Sequence, residues 1–426
     1  MKKPELILPG GDLERVKIAF QYGADAVYVG LNEYSLRKAE VRFELSEVKE
    51  AIDHAHSLNK RLFVTFNIFA HNEHLKRLES DMKKVASFYP DAFIIADPGI
   101  VALAQKIAPN IPIHLSTQAN TLNIESVKFW KKQGIKRIVL ARELTLDEIK
   151  NIHTAVPEME LEIFVHGAMC ISYSGRCLLS RYMTGREANL GDCAQPCRWN
   201  YRVYSSSDRE KSSDVNSSHI RSHNNFFLEE RMRPGELYPI EENENGTSVM
   251  GSKDLRLIRY LPEILEAGVT GLKIEGRNKS EYYLASTAST YRRALDLLKS
   301  SRYTEKDKKI LEAELEKLNF RDYTTGFLFD DAKLGEVTEN RRYKKTWEYI
   351  GIFTDNKNEI LVKNKIMTDD KVEVLSPHNI YQDIIIDIYD LTNNKMEEIN
   401  PGAKEQKAII KLSKNYPVNS ILRKKL

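Results

Sequence analysis

The sequence predicts a (β/α)8-type barrel like a TIM barrel, with a cysteine-bearing insertion after the seventh strand, followed by a small antiparallel β-barrel domain. Two observations lead to this fold class. Short apolar, β-rich runs alternate with amphipathic stretches through the first 275 residues, whereas strand-like runs with turn signals dominate after Trp347. A doubly wound open sheet remains the alternative for the first unit, because a sequence does not show whether a sheet closes.

Eight apolar runs are the predicted barrel strands, and they lie at 6–8, 26–30, 62–66, 92–96, 111–115, 137–140, 161–165 and 271–274. The stretches between them, such as 45–58 and 73–88, carry apolar residues at three- and four-residue steps, which is typical of amphipathic helices. Ser116, Asn123 and Thr145 lie near the expected helix starts, where short polar side chains accept hydrogen bonds from free backbone N–H groups. Eight strands, each followed by a helix, match the count of a closed barrel.

The 426 residues divide into three predicted parts: a barrel over 1–300, a helical linker over 301–345 and a small β-barrel domain over 346–426. The barrel contains an irregular polar insertion at about 170–253, with almost no apolar residues between 205 and 223. A helical pattern resumes at 254–267, and a charged helix is expected at 305–318. The strands expected in the last part lie at 350–353, 359–362, 371–375, 383–389 and 408–412.

Composition points to an ordinary globular protein, with 42% hydrophobic and 29% charged residues. A net charge of only +3 argues against a dedicated nucleic-acid coat, so contact with RNA would rest on local groups such as 341–345 and 423–425. Both groups also fit an ordinary solvated linker and tail. No apolar run approaches the roughly 20 residues of a membrane span, so we expect a cytoplasmic location, reduced thiols and no membrane partner.

All four cysteines lie within one 28-residue stretch, with the spacing Cys170-x6-Cys177-x15-Cys193-x3-Cys197. Four thiolates are the ligand set of a 4Fe-4S cluster or of a structural Zn²⁺. The paired Cys-x2-Cys knuckles of zinc ribbons are absent, which favours a cluster over zinc. Cysteines that cluster without binding a metal are the remaining alternative. Cys170 follows the seventh strand closely and is therefore expected at the C-terminal face of the barrel.

Several segments of the sequence resemble the signature of peptidase family U32. They are 9–11 (PGG), 23–30 (GADAVYVG), 162–170 (EIFVHGAMC), 175–180 (GRCLLS), 192–198 (DCAQPCR), 253–255 (KDL) and 271–277 (GLKIEGR). The resemblance covers nearly the whole chain, including the terminal β-domain. The polar, serine-rich stretch at 205–223 departs from the pattern and leaves the branch of the family open.

The resemblance implies a specific chemistry. The family carries an old label of collagenase-like peptidase without an assigned catalytic type, yet its better-understood members bind an iron–sulfur cluster through such cysteines. Those members serve oxygen-independent hydroxylation of tRNA, rRNA or a quinone precursor. The architecture looks most like the branch that forms 5-hydroxyuridine at the wobble position of tRNA and depends on prephenate. The implied cofactor is thus a 4Fe-4S cluster, with prephenate as a candidate co-substrate and the anticodon loop of tRNA as the partner.

Polar residues that follow the barrel strands are candidates for substrate binding, because these positions face the mouth of a (β/α)8 barrel. The candidates are Asn67 after strand three, His114 and Gln118 at strand five, and Arg142 and Glu143 after strand six. Each is about as well suited to cap a helix or brace a loop. Asp97, which precedes a turn, is expected to have a structural role.

Glu275 and Arg277 follow strand eight and are the predicted catalytic residues, together with His166. A carboxylate and a guanidinium at this place could orient a substrate, and arginine grips carboxylates or phosphates in a bidentate manner. A salt bridge at the barrel rim is the plain alternative. His166 precedes Cys170 by four residues and suits either a proton relay or simple packing. Lys273 lies within strand eight and, if buried, needs a carboxylate partner.

Three functions remain open from the sequence. The first is a tRNA-modifying hydroxylase that receives electrons from a donor protein. The second is a peptidase, although neither a His-Glu-x-x-His motif nor a Gly-x-Ser-x-Gly elbow occurs. The third is a non-catalytic, cluster-bearing scaffold or redox sensor. The sequence does not indicate an oligomeric state.

Overall fold

The computed structural model describes residues 4–31, 43–68, 70–169, 226–229, 237–243, 246–249, 253–329, 344–355, 357–402 and 406–426. In chain order, the strands and helices up to residue 299 are β1 (Glu5–Pro9), α1 (Leu13–Gln21), β2 (Ala26–Gly30), α2 (Leu45–Ser57), β3 (Arg61–Phe66), α3 (Asn72–Ala86), β4 (Ala92–Ile95), α4 (Pro98–Ile107), β5 (Ile113–Leu115), α5 (Ile124–Lys132), β6 (Arg137–Val139), α6 (Leu146–Ala155), β7 (Glu160–Ala168), β8 (Phe226–Glu229), β9 (Leu237–Asn243), β10 (Gly246–Val249), β11 (Asp254–Arg256), α7 (Leu261–Glu266), β12 (Val269–Ile274) and α8 (Glu281–Lys299).

Eight parallel strands form a closed barrel. Strands β1 to β7 pair in chain order, and β12 pairs in parallel with both β7 and β1. The predicted (β/α)8 fold is confirmed, and the open-sheet alternative is wrong because β12 joins the two ends of the sheet. All eight predicted strand runs fall on these strands. The apolar outer faces of the strands pack against the surrounding helices in one large core.

Polar side chains begin several of the helices as expected. Asn123 accepts a hydrogen bond from the backbone of Ser126 at the start of α5, and Thr145 and Glu148 form a capping box at α6. Asp97 accepts a hydrogen bond from the backbone N–H of Ile100 at the start of α4, so its expected structural role is confirmed. These caps satisfy backbone donors that have no partner within the helix.

Two expectations about the segment after β7 are wrong in part. Strands β8, β9 and β10 form an antiparallel three-stranded sheet within the span expected to be irregular, while 205–223 lies outside the described residues. The helical pattern at 254–267 begins with strand β11, which pairs antiparallel with the end of β7, and continues with a 3-10 turn and the short α7. The nine-residue β7 extends past its barrel neighbours, and this edge pairs with β11.

The segment between the two domains contains α9 (Glu305–Leu315) and β13 (Tyr323–Thr324). The charged helix expected at 305–318 is thus present and ends at Leu315. Strand β13 pairs in parallel with β11 and so adds to the barrel sheet. None of the described helices is both long and apolar enough to span a lipid bilayer.

The C-terminal part is a curled antiparallel sheet domain with its own apolar core. Its strands are β14 (Trp347–Phe353), β15 (Glu359–Val362), β16 (Ile366–Met367), β17 (Lys371–Leu375), β18 (Ile380–Ile384), β19 (Asp387–Tyr389), β20 (Lys395–Met396), β21 (Glu398–Ile399), β22 (Lys407–Lys411) and β23 (Ile421–Lys425). Eight of them form one sheet in the order β18-β17-β23-β14-β15-β22-β19-β20, and β16 pairs with β21. The expected run at 383–389 is divided between β18 and β19.

The two basic groups considered for RNA contact differ from expectation. Arg423 lies in β23, is fully buried and forms ion pairs with Glu314 and Glu373 at 2.6 and 2.7 Å, so the assignment of 423–425 to an exposed basic tail is wrong at this residue. In the other group, 341–343 lies outside the described residues, and Lys344 and Lys345 form ion pairs with carboxylates on the protein.

Candidate active site at the barrel mouth

The described chain reaches the C-terminal face of the barrel at the end of β7, just before the cysteine-bearing segment begins. Strand β7 ends at Ala168, two residues before Cys170. The predicted ligands Cys170, Cys177, Cys193 and Cys197 lie outside the described residues, so the cluster stays a prediction. Within the described ranges, no group of three or more His, Asp or Glu side chains is arranged to hold a metal ion.

A polar network joins the ends of β3 and β5 at the barrel mouth. The side-chain amide of Asn67 donates to Ser116 Oγ at 3.4 Å and to Gln118 Oε1 at 3.2 Å. Ser116 Oγ also donates to Gln118 Oε1. The structure therefore brings together two of the predicted substrate-binding residues, Asn67 and Gln118. Carboxamides at this place can donate to, or accept from, the polar edge of a nucleobase.

His114 lies inside the barrel and not beside Asn67 and Gln118. Its ring packs edge-on against Phe63 with the centroids 4.7 Å apart. Burial, together with the nearby positive charges of Arg137 and Lys273, holds the pKa of His114 well below its usual value, so the imidazole is neutral at physiological pH. Its Nδ1 has no hydrogen-bond partner among the described residues. Substrate contact by His114 stays a prediction.

Arg142 connects the end of β6 to the end of β7. Its guanidinium carbon lies 4.0 Å from the centroid of the Phe164 ring, and Nη1 donates to the carbonyl of Ala168 at 2.9 Å. A cavity of about 20 Å³, enough space for about one water molecule, lies beside Arg142 and Met169. Arg142 thus fixes the backbone close to Cys170. The neighbouring Glu143 is partly exposed.

Glu275 and Arg277 lie directly after β12 and are almost fully buried, with 5% and 9% of their surface exposed. The backbone N–H of Glu275 donates to the carbonyl of His166 at 2.9 Å, and Tyr283 Oη donates to the carbonyl of Glu275 at 2.8 Å. Gly167 permits this close approach, because a Cβ there would lie 2.8 Å from the Cβ of Glu275. Glu275 is therefore held against the end of β7, whereas the backbone carbonyl of Arg277 lies beside Gly11, after β1.

His166 lies in an aromatic environment. Its ring centroid lies 5.7 to 5.9 Å from those of Tyr283, Tyr291 and Tyr323. Burial lowers the pKa of His166 to about 3, and the positive charge of Arg256 adds to this effect. The imidazole is therefore neutral, and its Nδ1 has no hydrogen-bond partner among the described residues. A catalytic role for His166 stays a prediction.

Below the mouth, a network of charged side chains lies inside the barrel beside a small apolar cluster that includes Tyr28 and Phe63. Arg137 pairs with Glu5 at 2.7 Å, with Glu160 at 2.8 Å and with Glu162 at 3.2 Å. Lys273 Nζ lies 2.6 Å from Glu162 Oε1, which confirms the expectation that a buried lysine here has a carboxylate partner. Sequence reasoning missed the remainder of this network. The signal that was available is the occurrence of charged residues at alternate positions of otherwise apolar strands.

Two family models cover most of the chain. The model of peptidase family U32 matches residues 11–337, and the model of the U32 C-terminal domain matches residues 345–423. The chain belongs to peptidase family U32. The resemblance stated from the motifs is thereby confirmed, and the boundary between the two matches lies close to the start of β14.

Curated relatives of this U32 chain align over both domains. The tRNA hydroxylation protein P of Escherichia coli (strain K12) is 40% identical over 402 residues, covering 88% of this chain and 87% of the relative. The tRNA hydroxylation protein P1 of Bacillus subtilis (strain 168) is 35% identical over 432 residues, covering 98% and 94%. A solved structure described as a U32 peptidase is 15% identical, has a TM-score of 0.39 and covers 64% of this chain and 93% of its own.

Another relative has a different RNA in its name. The 23S rRNA 5-hydroxycytidine C2501 synthase of Escherichia coli (strain K12) is 33% identical over 294 residues, which covers 69% of this chain and 39% of the relative. The segments shared with the two tRNA proteins are longer and include the C-terminal domain. The family therefore contains proteins named for the hydroxylation of more than one RNA.

Proposed function

We propose that this chain is a tRNA-modifying enzyme that hydroxylates a uridine in the anticodon loop. In its specific form, the reaction is oxygen-independent formation of 5-hydroxyuridine at the wobble position, with an iron–sulfur cluster and with prephenate as co-substrate. The observation that carries the proposal is the alignment of relatives named for tRNA hydroxylation along almost the whole chain. An anticodon loop also suits a barrel mouth, because its bases are single-stranded and need no duplex opening.

The cysteines are the proposed cluster ligands. Cys170, Cys177, Cys193 and Cys197 supply four thiolates, which is the donor set that a 4Fe-4S cluster takes. When bound, the cluster would relay electrons or activate an oxygen donor. Because hydroxylation removes two electrons from the uracil ring, that oxygen donor would also have to act as the oxidant. The end of β7 supports this position, since Arg142 and β11 both hold the backbone that leads to Cys170. Reduction of the bound cluster would require an electron-donor protein as a partner.

The polar groups of the mouth have proposed roles in holding substrates. The carboxamides of Asn67 and Gln118 would orient the uracil edge, with His114 and Glu143 as further contacts. Arg142 and Arg277 would neutralise phosphate or carboxylate groups, for which guanidinium geometry is suited. Glu275 is the proposed acid–base residue. The backbone carbonyl of His166 accepts a hydrogen bond from the backbone N–H of Glu275. His166 would therefore act by holding Glu275 in place.

The test begins with protein purified without oxygen. We expect about four irons and four sulfides per chain, with loss of iron when any one of the four cysteines is changed to serine. Ser212→Ala, in the same insertion, is the matched control and should retain the cluster. Protein without iron or sulfide, or cysteine variants with unchanged activity, would contradict the proposed cofactor.

The substrate is tested in cells that lack the gene and grow without oxygen, so that oxygen-dependent routes to the same nucleoside do not operate. Mass analysis of tRNA nucleosides should show the loss of 5-hydroxyuridine derivatives and their return with the wild-type gene but not with Cys170→Ser. Unchanged tRNA would count against the modification. Peptide cleavage by metal-free protein, together with unchanged tRNA, would support the peptidase alternative.

A further inference from the structure

The large sheet of the C-terminal domain has two unlike edges. Strand β18 forms one edge and pairs antiparallel with β17 on one side, while no described strand pairs with its other side. The opposite edge, β20, has only two residues and begins with Lys395, which is the kind of short, charged edge that prevents pairing with another molecule. Strand β18 has five residues, lacks proline and has isoleucine at both ends. Strand β18 therefore lacks most of the features, such as proline or a very short length, that usually prevent a sheet edge from pairing with another molecule.

The hydrogen-bond pattern shows which groups of β18 point outward. Ser376 N–H donates to the carbonyl of Asn379, and Ile385 N–H donates to the carbonyl of Asp370, so odd-numbered residues of β18 bond to β17. The N–H and C=O groups of residues 380, 382 and 384 consequently point away from the sheet. One of these donors is occupied, because the N–H of Ile384 donates to the Asp383 side chain at 2.8 Å.

The same alternate residues expose their side chains. Ile380, Gln382 and Ile384 are all exposed, and the two isoleucines retain 39% and 46% of their surface. Exposed isoleucines on a strand with one edge that no described strand pairs are typical of an interaction site. Among the residues of β18 whose backbone groups point outward, isoleucine stands at equal distances on either side of Gln382, at 380 and 384. This symmetry makes the edge complementary to a second copy of itself.

We propose that two copies of this chain associate by antiparallel pairing of their β18 strands about a two-fold axis at Gln382. This arrangement places Ile380 opposite Ile384 of the second copy on both sides of the axis, and the two Gln382 residues face each other. The donors that remain form four intermolecular hydrogen bonds, two between the Gln382 backbones and two from Ile380 N–H to the carbonyl of Ile384. The two eight-stranded sheets become continuous. The proposal does not depend on the proposed hydroxylation.

The dimer should be weak. Two five-residue strands bury far less than the roughly 1,200–2,000 Å² of a standard interface, so we expect a dissociation constant on the order of tens to hundreds of micromolar. Sedimentation equilibrium of the intact protein, from about 5 to about 500 µM, covers this range. A mass that rises from monomer toward dimer supports the proposal. A monomer at every concentration overturns it.

Two substitutions test the strand itself. The double variant Ile380→Lys and Ile384→Lys places like charges directly opposite each other, and it should weaken association about tenfold or more. Ile310→Lys, at an isoleucine of α9 that is 44% exposed, introduces the same charge outside this edge and should leave the dissociation constant unchanged. Equal dissociation constants for wild type and the double variant would place the contact elsewhere and overturn the proposal.

A charge exchange tests the register and shows that the variants fold. A second double variant, Ile380→Glu and Ile384→Glu, should also be monomeric alone. Mixed with the lysine double variant at low salt, it should form a heterodimer, because each lysine then faces a glutamate. Recovery of association only in the mixture supports pairing about Gln382. Failure of two folded variants to associate when mixed would exclude this register.

Discussion

Lys273 and Glu162 form a buried ion pair inside the closed barrel, with 2.6 Å between Nζ and Oε1. The same ammonium lies 4.2 Å from the centroid of the Tyr28 ring, and Arg137 approaches the other oxygen of Glu162 at 3.2 Å. Burial alone would raise the pKa of Glu162, but the two cations outweigh it, so the pKa is lowered and the carboxylate is charged at neutral pH. The barrel interior therefore contains an ionic network that extends toward the N-terminal ends of the strands, where Glu5 and Arg137 begin β1 and β6.

Glu162→Gln should strongly destabilise the protein. It leaves Lys273 without its carboxylate partner, and Arg137 keeps only its carboxylate partners Glu5 and Glu160. Removing one partner of a buried ion pair typically costs about 3–5 kcal/mol, and we expect a loss of this size in the free energy of unfolding measured with urea. Glu125→Gln, which breaks an exposed pair with Lys128, is the control and should have little effect. Similar losses for the two variants would show that burial does not determine the cost.

Gly167→Ala should displace the turn that carries Glu275. Gly167 has a φ of +114°, and an added Cβ would lie 2.8 Å from both the Cβ and the carbonyl oxygen of Glu275. Gly134→Ala is a matched control: Gly134 has a φ of +79°, but the nearest atom to an added Cβ is 3.5 Å away, in a flexible side chain. A left-handed backbone alone costs about 1–3 kcal/mol.

Both alanine variants should therefore lose stability. If the proposed hydroxylation holds, only Gly167→Ala should lower the 5-hydroxyuridine content of tRNA at temperatures where the protein remains folded. The unfolding free energy and the nucleoside content are measured on the same strains. Full modification by a folded Gly167→Ala protein would show that the close contact with Glu275 is not needed. Equal loss of modification in both variants would point to stability as the cause.

The barrel could be predicted because its strands are apolar runs of the correct number and its helices have clear periodicity and caps such as Thr145. Closure could not be predicted, since it depends on the pairing of β12 with β7 and β1, which are distant in sequence. The helix expected from residue 254 fails for a similar reason. The sequence around Asp254 does not by itself strongly favour a helix or a strand. Its pairing with the end of β7 determines its conformation.

Within the candidate site, the sequence identified residues by their place after a strand but could not show which of them meet. Asn67 and Gln118 share one network, whereas His114, on β5 and four residues before Gln118, faces the interior. The ionic core was missed because Arg137 and Glu162 lie at or near the starts of predicted strands. The sequence does not show that closure of the barrel buries them. Arg423 was assigned to a basic tail because its carboxylate partners lie 50 or more residues earlier, so the sequence gives no sign that they meet.

Arg423→Ala should destabilise the contact between the two domains. The guanidinium is fully buried between Glu314 of α9 and Glu373 of β17. Its removal leaves the two carboxylates to share the ammonium of Lys317, which lies 3.0 Å from Glu314 and 2.8 Å from Glu373. We expect a loss of about 3–5 kcal/mol in the free energy of unfolding, measured with urea. Lys425→Ala, two residues along the same strand and exposed, should have little effect. Equal stability of the two variants would contradict a structural role for Arg423.

His166 should make the stability of the protein depend on pH. Because burial lowers the pKa of His166 to about 3 in the folded state, the unfolded chain binds a proton near the usual pKa of about 6.5 while the folded chain does not. Stability from this residue is therefore fully present above about pH 6.5 and is lost as the pH falls toward 3, at about 1.4 kcal/mol per pH unit.

The comparison is between wild type and His166→Phe, which retains an aromatic ring among the tyrosines but does not titrate. Urea unfolding at several pH values between about 7 and about 4.5 should show that the advantage of wild type over the variant shrinks by about 1.4 kcal/mol per pH unit. Parallel curves would mean that the imidazole titrates with the same pKa in the folded protein as in the unfolded chain. In that case His166 would be able to exchange a proton near neutral pH, and its role would be chemical instead of positional.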